Sequence, residues 1–178
     1  MSQQDAGAPL DVVCVGEALV DFLPAEPGRR VRDVGAWSPC VGGSLANVSV
    51  GVARLGARSA YVGVLGEDEF GHFLRERLAA EGVDVSRVRQ TAEAKTGLVF
   101  ISLDARGERS FSFYRTLSAE RLLGERDVEP AFLGRARVVH CGTNSLLLPE
   151  ARAAMLRTVE TARAADRIVS CDPNLRLH

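Results

Sequence analysis

Apolar residues fall along this chain in two periodicities that alternate. Val12-Val13-Cys14-Val15 is a short unbroken apolar run ended by Gly16, the pattern of a strand buried on both faces. Ala60 to Leu65, Arg137 to Cys141 and Arg167 to Cys171 repeat it. Between them the period lengthens to that of a helix. Leu45, Val48, Val52 and Leu55 recur on one face, with Gly56 placed as a C-terminal cap. Phe70, Phe73, Leu74 and Leu78 share a second face, ended by Gly82. A third helix opens at Pro149 and carries Ala151, Met155, Val159 and Ala162 on one stripe. Strand and helix in alternation predict an α/β fold, a mostly parallel sheet with helices on both faces.

One region departs from this pattern. Thr96 to Leu103 and Glu108 to Arg115 are strand-like, joined by the turn-forming Asp104-Ala105-Arg106-Gly107. Ser110, Phe111, Ser112 and Phe113 alternate, which suits a sheet with one covered face. With Phe22-Leu23 and Val31 to Ser38, this hairpin is expected to form a small separate sheet. We read it as a lid over the edge of the main sheet, spanning residues 22–38 and 96–117. Residues 1–10 are expected to be a disordered tail and 11–178 one domain.

Composition narrows the function classes. The 178 residues are 46% hydrophobic and 25% charged, which excludes disorder and collagen-like structure. The 22 basic and 23 acidic residues nearly cancel, so nothing draws the chain to nucleic acid or an anionic membrane. All basic residues but Lys95 are arginine; scattered singly on helix faces, they form no patch. Cys14, Cys40, Cys141 and Cys171 contain no Cys-x-x-Cys pair and read as free thiols of a reducing compartment. His72, His140 and His178 have no metal-ligand spacing. Met1 to Leu10 lacks the basic start and apolar core of a signal peptide, and no apolar stretch approaches the roughly 20 residues that cross a bilayer. A cytoplasmic protein is expected.

Four short features carry candidate chemistry. Gly42-Gly43-Ser44-Leu45-Ala46-Asn47 opens a helix: paired glycines let a ligand approach the backbone, and the helix start offers N–H groups to its oxygens. Asn47, one turn in, suits the neighbouring hydroxyls of a polyol. The plainer alternative is a glycine turn before a helix capped by Ser44. Asp21 follows the first strand, at the edge where open α/β sheets bind ligands; a carboxylate there accepts two sugar hydroxyls, and a solvated turn aspartate is the alternative. Asp172-Pro173-Asn174-Leu175-Arg176 follows the last strand at the same edge. Asn174 and Arg176, two apart on an extended segment, point one way and suit a phosphate or sugar oxygen. Phe113-Tyr114-Arg115 sets an aromatic and a cation at the end of the hairpin.

In order along the chain, these motifs resemble the ribokinase (PfkB) family of carbohydrate kinases. The resemblance rests on Gly16-Glu17 with Asp21, on Gly42-Gly43 with Asn47, and on Val62-Gly63-Val64-Leu65-Gly66-Glu67-Asp68-Glu69-Phe70-Gly71. It continues through Leu78 to Asp84 and Lys95-Thr96-Gly97. Gly107-Glu108-Arg109, Phe113 to Arg115, Ser118 to Leu123 and Asp172 to Leu177 look most like the fructokinase subgroup. The 2-keto-3-deoxygluconate kinases are nearest to it. They tend to place a tyrosine two residues before the lid arginine, where this chain has Phe113.

The resemblance implies a ribokinase-like fold whose C-terminal half is absent from these residues. It implies transfer of the γ-phosphoryl of ATP to a hydroxyl of fructose, with Mg²⁺ and, as a further candidate, K⁺. Asp21, Gly42, Gly43, Asn47, Phe113, Arg115 and Arg176 are then the sugar-binding residues, and Asn174 with Arg176 face the phosphate. The family's catalytic aspartate lies in a Gly-Ala-Gly-Asp motif, which occurs nowhere in this sequence, so the chain alone is expected to be inactive. Family relatives dimerise through the lid, and a homodimer is expected. Two alternatives stand: a 2-keto-3-deoxygluconate kinase, and a non-catalytic sugar-binding or dimerisation fragment. A dinucleotide oxidoreductase is disfavoured, because Gly16-Glu17-Ala18 lacks the glycine spacing.

Overall fold

The computed structural model describes residues 8–103, 109–143, 146 and 148–174. Its strands are β1 (Leu10–Val15), β2 (Leu19–Pro24), β3 (Trp37–Gly42), β4 (Ser59–Gly66), β5 (Asp84–Thr91), β6 (Leu98–Leu103), β7 (Arg109–Tyr114), β8 (Ala136–Gly142) and β9 (Ile168–Asp172). Its helices are α1 (Ser44–Arg54), α2 (Glu69–Ala80), α3 (Pro130–Leu133) and α4 (Pro149–Ala164). The unbroken apolar runs became a five-stranded sheet in the order β5-β4-β1-β8-β9, and every pairing in it is parallel. All eight residues of β4 are buried, as expected of a strand covered twice.

Alternation along the strands splits the core into two layers. Val13, Val15, Ala60, Val62 and Val64 face one way, against Phe132, Leu133, Ala154 and Ala162 of α3 and α4. Cys14, Tyr61 and Leu65 face the other, against Leu45 and Ala46 of α1 and Leu74 and Leu78 of α2. The helix faces differ from expectation at their edges. Leu55 is not on the buried stripe: α1 stops at Arg54, and Leu55 at its C-cap is 88% exposed. β5 has no counterpart in the sequence reading. Asp84, Ser86, Arg87 and Arg89 interrupt its apolar pattern, as an edge strand wetted along one side allows.

The second sheet has the order β3-β2-β6-β7. β2 pairs antiparallel with β3 and parallel with β6, and β6 pairs antiparallel with β7. Of the Val31–Ser38 region only Trp37 and Ser38 enter it; Val31–Asp33 is a short 3₁₀ turn. Pro39 lies in β3, an edge strand, where its missing N–H costs no ladder bond. One face packs as a chain of rings: Phe22 stacks on Phe100 at 4.8 Å between centroids, and Trp37 and Phe70 meet these rings edge-on.

The two sheets are tied at Asp68. Its carboxylate caps α2 by accepting from the Gly71 N–H at 2.9 Å, and accepts from the Thr96 N–H and hydroxyl just before β6. Desolvation pushes the Asp68 carboxyl up, but those hydrogen bonds and the charge of Lys95 bring it below the ordinary carboxylate value. Among the described residues no helix is long and apolar enough to cross a membrane.

Candidate functional site

β1 ends at Val15 and the chain leaves the parallel sheet through Gly16, so the next residues lie at the carboxyl edge of the strands. It then enters β2. Register sets Asp21 beside Val99 of β6, and Val99 beside Phe113 of β7, so the three share one face of the second sheet. Leu19, Ile101 and Phe111 extend that face by the same period. The start of α1 stands against it, and a cavity of about 290 Å³ opens between them. Glu17, Leu19, Asp21, Gly43, Ser44 and Val99 form one part of its wall; Phe111, Phe113, Arg115 and Asn174 form the rest. That volume is at the small end of ligand pockets and suits a molecule of monosaccharide size.

Asp21 is half-buried, and among the described residues its carboxylate has no protein hydrogen bond or ion pair. Desolvation alone pushes its carboxyl up from the ordinary value. Gly42 is not a wall residue. It makes room for Asp21, because a Cβ there would come within 2.5 Å of the Asp21 carboxyl carbon. Gly43 has φ +95°, and a Cβ on it would lie 2.6 Å from the Glu17 carbonyl oxygen.

Gly43, not Ser44, is the N-cap residue of α1, and the helix start is less open than the motif implied. The Ser44 N–H and hydroxyl both donate to Glu17 Oε1, at 3.1 and 2.5 Å. A buried carboxylate therefore answers the positive end of α1 from within the protein. Asn47 is exposed on the first turn; its N–H bonds to the Gly43 carbonyl, and its side chain is not part of the cavity wall.

Asn174 reaches the wall by a different geometry from the extended one expected. Its φ is +43°, and its N–H turns back to Asp172 Oδ1 at 2.8 Å. Arg176 lies outside the described residues. Arg115 reaches the wall from the end of β7 with its guanidinium engaged: Nε–H donates to Glu120 Oε1 at 3.1 Å. The wall residues that the sequence reading did not single out are Glu17, Leu19, Ser44, Val99 and Phe111. The alternation around Phe113 carried the signal for Phe111; nothing local carried it for Val99, which is set by β2–β6 pairing.

Comparison with known proteins agrees with this fold. A family model described as pfkB family carbohydrate kinase matches residues 9–178. Fructokinase-1 of Oryza sativa subsp. japonica is 44% identical over 171 residues, which cover 96% of this chain and 53% of that protein. The crystal structure of fructokinase from Xylella fastidiosa superposes with a TM-score of 0.84 at 40% identity, over 93% of this chain and 51% of the other. A putative ribokinase II from E. coli, in complex with ATP and Mg²⁺, gives 0.86 at 28% identity, over 94% and 54%. The chain thus spans about half the length of the relatives it matches.

Proposed function

Because the chain belongs to the pfkB family of carbohydrate kinases, we propose that its cavity is the fructose site of a kinase that moves the γ-phosphoryl of ATP onto a sugar hydroxyl. Asp21 carries this assignment. An unpartnered, half-buried carboxylate in a cavity of monosaccharide size destabilises the empty site and gains two charge-assisted hydrogen bonds when sugar hydroxyls arrive. The Gly43 backbone admits the ligand closely, and the paired rings of Phe111 and Phe113, 5.8 Å apart, offer it an apolar face. Asn174, in the wall, is assigned to the phosphoryl side.

Charge favours a neutral sugar over a sugar acid. The unpaired charge in the wall is the negative one of Asp21, whereas the positive charge of Arg115 is already paired with Glu120. Phe113 adds no donor for a carboxylate, which is costly to desolvate unpaired. ATP and Mg²⁺ are the co-reactants the family implies. Among the described residues no three His, Cys, Asp or Glu side chains gather as a metal site. These residues bind and orient the sugar, and the second sheet screens it from water. We further propose that copies of the chain associate through that sheet.

Calorimetric titration of the chain tests the assignment. Fructose is expected to bind at least tenfold more tightly than 2-keto-3-deoxygluconate, about 1.4 kcal/mol, and Phe113→Tyr to narrow the gap. No fructose-dependent ADP release is expected from residues 1–178 alone, which lack a Gly-Ala-Gly-Asp sequence. A chain that prefers the acid overturns the fructose assignment.

A further inference from the structure

We propose that Glu120 is a positioning residue that sets the charge preference of the cavity: by pairing Arg115 from behind, it turns a counter-ion for sugar acids into a neutral hydrogen-bond donor for sugars. This rests on the sugar-site assignment above. The Glu120 side chain is only 2% exposed, whereas Arg115, in the cavity wall, is 24% exposed. Oε1 accepts from Arg115 Nε–H at 3.1 Å and from the Ser118 hydroxyl at 2.6 Å. Oε2 is buried and, among the described residues, has no hydrogen-bond partner.

A carboxylate in that position is a poor choice for stability. Taking it out of water is expensive, and one of its two oxygens recovers nothing. An apolar side chain would fill the same space more cheaply, so the reason for the acid lies in what it holds.

The surroundings are built to admit it. A Cβ on Gly97 would come within 2.8 Å of Glu120 Oε1, so the glycine leaves the carboxylate room where it stands. The Gly97 carbonyl in turn accepts from the N–H of Val20, the neighbour of Asp21, at 2.9 Å. One glycine thus joins the Glu120 pocket to the strand that carries the free carboxylate. The Ser118 hydroxyl, whose one proton goes to Glu120 Oε1, also lies 2.8 Å from the Arg115 carbonyl, and Arg121 donates to that carbonyl at 3.2 Å. Arg115 is held by both its main chain and its side chain. Among the described residues its guanidinium makes no other hydrogen bond, and with its charge compensated it serves hydroxyls without attracting a carboxylate strongly.

The test is binding of fructose and of 2-keto-3-deoxygluconate to the chain by calorimetry, with thermal melts to check folding. Glu120→Gln keeps the volume and removes the charge. It is expected to weaken fructose binding severalfold and to strengthen binding of the acid, shifting their ratio at least tenfold without lowering the melting temperature. Glu120→Asp, which retains the charge, should hold the ratio near wild type. If Glu120 acts through Arg115, Glu120→Gln changes nothing further in an Arg115→Gln background. An unshifted ratio in a folded Glu120→Gln chain, or an equal shift in the Arg115→Gln background, overturns the proposal. A wild-type chain that binds neither ligand overturns the sugar-site assignment first.

Discussion

Half-buried Asp21 and buried Glu120 are both acids whose carboxyls desolvation pushes up, but they differ in company. Ser118 and Arg115 offset part of the cost for Glu120; nothing among the described residues does so for Asp21. The folded state therefore keeps the Asp21 proton to a higher pH than the unfolded chain. Its contribution to stability is present at acid pH and is lost as pH rises through the raised folded value. Asp21→Asn should accordingly raise the melting temperature at neutral pH, with the gain shrinking as pH falls toward the ordinary carboxylate range. The same variant should weaken fructose binding by more than tenfold, on the order of 1.5–3 kcal/mol for a lost charge-assisted bond. Melts across pH, paired with titrations, check both arms. A variant that is both less stable and equally tight would make Asp21 a merely solvated residue of β2 rather than a sugar ligand. That carboxylate was legible from its place after the first strand. Its lack of partners was not, because partners come from register.

At the level of elements, glycine separates what each helix needs from what it tolerates. Gly71, in the first turn of α2, has the Gly66 carbonyl oxygen 1.9 Å from where a Cβ would stand. That oxygen belongs to the end of β4, so neither side can yield without moving backbone. Gly51, inside α1, has open space at the same position. Gly71→Ala is expected to destabilise by more than about 2 kcal/mol, as overpacking against backbone does. Gly51→Ala should stabilise by about 0.5–1 kcal/mol through helix propensity. Urea melts of the two variants read this directly, and equal effects would mean that the α2–β4 contact gives way freely. Strands covered on both faces were legible because Val12 to Val15 and Ala60 to Leu65 leave no polar break. β5 was not, since Arg87 and Arg89 spend their length on Glu129 and Asp127 and mask the apolar alternation. Leu55 shows the converse: periodicity carried it onto a buried stripe, but the helix ended one residue earlier.

For the whole molecule, four of the five strands of the parallel layer were readable from alternation, β5 excepted, whereas the second sheet assembles from segments far apart in sequence. Only pairing of β2 with β6 brings Asp21 to Val99, a contact that no window along the chain contains. This sheet also leaves Phe111, Phe113 and Tyr114 at 42%, 60% and 65% exposure, with Leu117 at 87% just beyond it. An apolar surface of that kind favours association. Sedimentation velocity over a rising concentration series should show the chain moving from monomer to dimer, and Tyr114→Lys should hold it monomeric. A single species at every concentration would remove the association proposed for this sheet. The ring packing of the same sheet has an optical consequence. Trp37 is the only tryptophan in the chain, and it lies edge-on to Phe100 in the ring cluster of the second sheet. Light absorbed at the red edge of the indole band therefore samples that sheet alone, and the parallel layer is dark to it. Emission followed through a melt records when the ring cluster comes apart, while far-ultraviolet dichroism, weighted to α1, α2 and α4, records the main body. Coincident curves would show two sheets that unfold as one cooperative unit; separated curves would show a second sheet that lets go on its own.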